Sequence, residues 1–246
     1  MPQFGYQVLG FGAGGTADPN AGPAGPTAVD ASSRQAYASG TSGSMTLSHT
    51  VGTGTHRCLF VGVYQEDSDD APPNPSGVTY GGVAMSPTWF ANRDSGNEKM
   101  RITVHHLLNP ASGTADIVAT QTGTAASGVD GPSALIAISF SGVKQTDMSG
   151  DYPFPITGHG FDQEGWTWYA PSTNYAGQYI TTWIMTEGTS NESPGTNETA
   201  FPSAMSGDIG ASYKVATGDD EEGEWTWSGT KEGCVITVNV LADNYT

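Results

Sequence analysis

Short runs in which apolar and polar side chains alternate follow one another along most of this chain, and no stretch of useful length carries the period of a helix. A period of two sends successive side chains to opposite faces of a strand. In RITVHHLL (101–108), Ile102, Val104 and His106 share one face, and Thr103, His105 and Leu107 share the other. ALIAISF (134–140) is apolar at nearly every position, the pattern of a strand buried on both faces. Strands are predicted over 28–37, 44–50, 57–64, 77–91, 99–108, 113–121, 133–141, 165–169, 177–186, 208–216, 223–228 and 234–242, with an opening strand over 4–11. Turn chemistry separates them in PPNPSG, NPASG, GVDGP and SPGTN. The expected fold is all-β: an antiparallel, jelly-roll-like β-sandwich of two layered sheets with a short extended N-terminal arm.

The 34 glycines and 15 prolines fall largely between apolar runs and read as turn residues. With 246 residues the chain can bury a sizeable core without disulfides or metal. Residues 12–26, GAGGTADPNAGPAGP, cannot pack a core. The expected organisation is an N-terminal strand and Gly/Pro-rich arm over 1–27. A single β-sandwich domain follows over 28–246, with irregular inserts near 144–164 and 187–204. Long loops of this kind often carry whatever recognition a sandwich performs. The first residues lack the basic and apolar regions of a signal peptide, and no segment approaches the length of a membrane span.

Eight Lys and Arg face 25 Asp and Glu, a formal charge of −17. Such a surface repels phosphate backbones and anionic lipid, which argues against nucleic-acid partners and membrane insertion.

The candidate chemistry is thin. Gly10 to Gly15 matches G-x-G-x-x-G, but TADPNAGPAGP follows it and cannot form the helix that a pyrophosphate needs. His49, His56, His105, His106 and His159 show no metal-ligand spacing, and His105 and His106 point to opposite faces of their strand. No Gly-x-Ser-x-Gly occurs, and nothing selects a catalytic pair among the acids. Cys58 and Cys234 lie in apolar strand-like runs and read as small buried hydrophobes, with a disulfide as the alternative. The acidic clusters 66–70 and 219–222 read as solvated turns, and loop oxygens there would be the ligands of any bound calcium. Trp166, Trp168, Trp225 and Trp227 read as core residues, with a stacking platform for sugars as the alternative. No catalytic, cofactor-binding or metal residue is singled out, the ligand-binding residues stay open, and the chain reads as non-enzymatic.

Five segments carry a resemblance: RCLFVGVYQED (57–67), GVTYGGVAMSP (77–87), VHHLLNPASGTADIVAT (104–120), ALIAISFSGVKQ (134–145) and ASYKVATGDDEEGEWTWSGTKEGCVITVNVLA (211–242). Together they resemble a β-sandwich module of structural proteins in tailed bacteriophages and related bacterial surface proteins. Tyr80-Gly81-Gly82 reads as a hairpin turn, and the segment 109–113 reads as another. The adjacent His105 and His106 and the acid-rich 219–222 depart from the pattern. The resemblance implies a virion structural protein that decorates or cements the capsid or forms a head or tail appendage. The alternative it leaves is a host-surface glycan-binding adhesion module of a tail fibre or bacterial surface protein. It further implies other capsid or tail proteins as partners and residence in the virion after synthesis in the host cytoplasm. Copies are expected to associate with closed symmetry, as trimers or within a larger ring, because closed symmetry is usual.

Overall fold

The strict alternation of SMTLSHTV in β2 (Ser44–Val51) is matched by burial, every second residue facing inward. That strand belongs to an outer layer. In β3 (Cys58–Asp67) and β9 (Ser133–Ser141), by contrast, every residue is buried. Both phases of their sequence are largely apolar, so each face of the sheet they build must be covered.

The computed structural model describes residues 28–37, 43–67, 72, 74–93, 99–122, 133–145, 156–164, 178–187, 193–201, 208–217, 223–226 and 230–243. These hold sixteen strands and no helix. The central sheet runs β1 (Ala28–Tyr37), β9, β3, β7 (Lys99–Leu108) and β6 (Ser86–Arg93). One outer sheet runs β2, β8 (Gly113–Thr120), β4 (Gly77–Tyr80) and β5 (Val83–Ala84). The other runs β10 (Ile156–Glu164), β16 (Thr230–Val240), β11 (Tyr179–Thr186), β14 (Ile209–Val215) and β13 (Thr199–Ala200). A small ribbon pairs β12 (Ser193–Pro194) with β15 (Trp225–Thr226). Every pairing is antiparallel.

The fold is therefore an all-β antiparallel sandwich, with three layers where two were expected. Phe60, Tyr64, Ile136 and Phe140 of the central sheet pack with Trp183, Met185, Ile236 and Val238. From the other face Leu59, Val61, Val63 and Leu135 pack with Met45, Leu47, Ile117 and Ala119. Each large aliphatic or aromatic side chain so buried contributes about 1.5–3 kcal/mol. One core cannot serve both phases of β3, and the third sheet supplies the second.

The predicted strand 77–91 divides into three. Gly81 and Gly82 have φ of +55° and +81°, the two left-handed positions of a tight hairpin turn between β4 and β5. A register shift between Pro87 and Trp89 then kinks β6. The insert near 144–164 is not irregular throughout. Residues 156–164 form β10, paired with β16 from Ile156 opposite Val238 to Glu164 opposite Thr230. Its backbone covers the edge that β16 would otherwise expose, a task that needs no hydrophobic alternation. The insert near 187–204 contains β12 and β13. The expected strands 4–11 and 165–169 and the arm 12–27 lie outside the described residues, as do the acidic cluster 219–222 and Trp166, Trp168 and Trp227.

Candidate functional site

At the β6 edge of the central sheet the bulge re-aims the chain. Register places Phe90 opposite Thr103 and Pro87 opposite His105, so these four share the face turned toward β4 and β5. Trp89 is opposite Val104, and at the bulge it too lines the cavity described next. The β4–β5 hairpin lays Val78, Ala84 and Met85 over the same space. The result is a cavity of about 500 Å³ between the central sheet and an outer one, with the exposed Asn74 and Phe90 among the residues that line it. That volume is within the range of small-molecule sites.

Its walls are mainly apolar, and its floor is polar. Thr103 is 4 % exposed and His105 is 6 % exposed. Thr103 Oγ1 and both His105 ring nitrogens have no hydrogen-bond partner among the described residues. A buried polar group left unpaired costs about 1–3 kcal/mol. Burial, with neighbouring His106 adding to it, lowers the His105 pKa from 6.5 to about 4, so the ring is neutral at pH 7. At the rim Phe90 is 48 % exposed. The Arg101 guanidinium lies 5.4 Å from its ring centroid and donates to Asn74 Oδ1 at 2.9 Å.

The remaining candidates are held within the protein. His49 lies 2.8 Å from Ser33 Oγ through Nδ1 and 3.2 Å from Ser139 Oγ through Nε2, which brackets β2 to the central sheet. Burial lowers its pKa to about 4. His106 Nδ1 lies 2.8 Å from Thr88 Oγ1. His56 pairs with Asp243 at 2.6 Å on the surface. Cys58 and Cys234 are free thiols in the core, and burial raises the pKa of both. Trp225 is 1 % exposed and its Nε1 donates to Ser212 Oγ at 2.8 Å, so this ring is core and not a platform. Glu198 accepts from Ser212 Oγ and from the Glu224 amide, and burial raises its pKa.

Glu66 and Asp67 are not part of a solvated turn: they end β3 and are buried, with Asp67 opposite Lys99. The ladder runs on past the apolar stretch because β7 supplies a partner of opposite charge. Among the described residues no three His, Cys, Asp or Glu side chains converge as a metal-binding group.

The alternation in RITVHHLL already put Thr103 and His105 on one face. That this face lines a cavity depends on the hairpin and the bulge, which strand periodicity does not reveal. Comparison with protein-family models, with curated proteins and with solved structures finds no match to this chain.

Proposed function

We propose that this protein is a non-enzymatic structural component of a bacteriophage virion, one that decorates or cements the capsid or forms part of a head or tail appendage. The observation that carries the reading is the layered body. The central sheet is closed on both faces, and both thiols and the His49 imidazole lie buried between the layers, which suits a molecule that works by shape. The five segments quoted above supply the particle context. The charge of −17 supports solubility before assembly. Partners are other capsid or tail proteins and further copies of the chain in a closed ring such as a trimer.

Antibody labelling of particles purified from an infected host carrying this sequence tests the reading. Labelled intact particles are expected. Protein confined to the soluble fraction contradicts it. Light scattering on the purified chain reads the oligomer, and a monomer at all concentrations removes the closed ring. The alternative, a host-glycan adhesion module, would use the same body as a rigid mount, and the β6–β7 cavity is the observation in its favour.

A further inference from the structure

We propose that the cavity under the β4–β5 hairpin binds a neutral, hydroxyl-bearing ring compound of the pyranoside class, with its apolar face on Met85 and Pro87 and its hydroxyls toward Thr103 and His105. Two independent observations meet there. The first is the shape: about 500 Å³ of mostly apolar wall at the mouth between two layers. The second is the floor, where a hydroxyl and an imidazole are more than nine-tenths buried and have no hydrogen-bond partner among the described residues.

The chemistry of that floor selects the ligand. A neutral imidazole carries one donor and one acceptor, and a threonine hydroxyl is both. The complementary group must therefore donate and accept. A carboxylate or phosphate only accepts and would enter a molecule of charge −17. An ammonium only donates and leaves the ring N–H unmatched. Hydroxyls satisfy both, and several on one ring would reach Thr103 and His105 together. A pyranoside also has an apolar C–H face, which a purely polar solute lacks. Phe90, held at the rim under Arg101, narrows the entrance and adds contact area.

This inference does not depend on the virion reading, because particle labelling and sugar binding are read separately. It is tested on the full chain by saturation-transfer NMR and calorimetry. The probes are methyl glucoside, methyl galactoside, methyl mannoside and N-acetylglucosamine, with glucuronate and cyclohexanol as controls. Saturable binding of at least one neutral pyranoside is expected, with glucuronate and cyclohexanol binding more weakly. Thr103→Val keeps the side-chain shape and removes the hydroxyl. Phe90→Ala removes an exposed ring and leaves the core alone. Each is expected to weaken binding by roughly fivefold or more, with the thermal transition little moved in Phe90→Ala and unchanged or raised in Thr103→Val, which removes an unpaired buried hydroxyl. His105→Phe is expected to abolish binding, and the two milder variants keep the test open if it does not fold. No binding by any neutral pyranoside overturns the proposal. So does binding that both milder variants leave unchanged. Equal affinity for glucuronate or cyclohexanol overturns the chemical class.

Discussion

Gly62 sits in β3 where Trp183 reaches across from the outer sheet. A Cβ there would lie 2.6 Å from Trp183 Cε3 and 2.8 Å from Tyr64 Cε2. Gly62→Ala is therefore expected to destabilise the fold by about 1–3 kcal/mol, read as a lower urea midpoint with an unchanged slope. The buried indole that packs over Gly62 donates from its Nε1 to Thr181 Oγ1 at 3.0 Å. Acid acts at the residue scale as well. His49 and His105 have folded pKa values of about 4 against an ordinary 6.5, so below pH 6.5 the unfolded chain binds protons that the folded one refuses. Their stabilising contribution is whole above pH 6.5 and drains away as the pH falls toward 4, at roughly 3 kcal/mol for each ring. Glu198 runs the other way: its raised pKa favours the fold below its ordinary value of 4.5, and that contribution is lost as the pH rises through the folded value. A thermal melt series from pH 7 to pH 4 is expected to show a falling transition, with a shallower fall in His49→Gln.

The β4–β5 hairpin shows what an element needs from its sequence and what a site needs from the element. Gly81 and Gly82 take left-handed φ in succession, and a side chain pays about 1–2 kcal/mol in that region. Gly82→Ala is expected to cost about 1 kcal/mol and to loosen Ala84 and Met85 over the cavity, read as weaker probe binding together with a lower melting temperature. This turn was legible because successive glycines take left-handed φ without steric strain. The strands β7 and β9 were legible too, since their apolar residues and flanking turns mark both ends. β10 was not. ITGHGFDQE has two interior glycines and no apolar alternation, and its backbone pairing with β16 is set by the neighbour's open edge. The cavity stayed hidden for a similar reason. Thr103 and His105 were placed on one face correctly, but what covers that face is decided by a hairpin some twenty residues away in sequence.

In the whole molecule one sheet is enclosed by two others. The both-faces burial of ALIAISF was readable from composition alone, and the step from it to a third layer was not, because the covering strands come from two separate stretches of chain. β2, β4, β5 and β8 close one side, and β10, β11, β13, β14 and β16 close the other. Native-state hydrogen exchange tests that enclosure most directly. The amides of β3 and β9 are expected to exchange only through global unfolding, together and more slowly than those of β2 and β8, whose sheet is covered on one face. Exchange of β3 and β9 as fast as that of β2 would contradict a central sheet sealed on both sides.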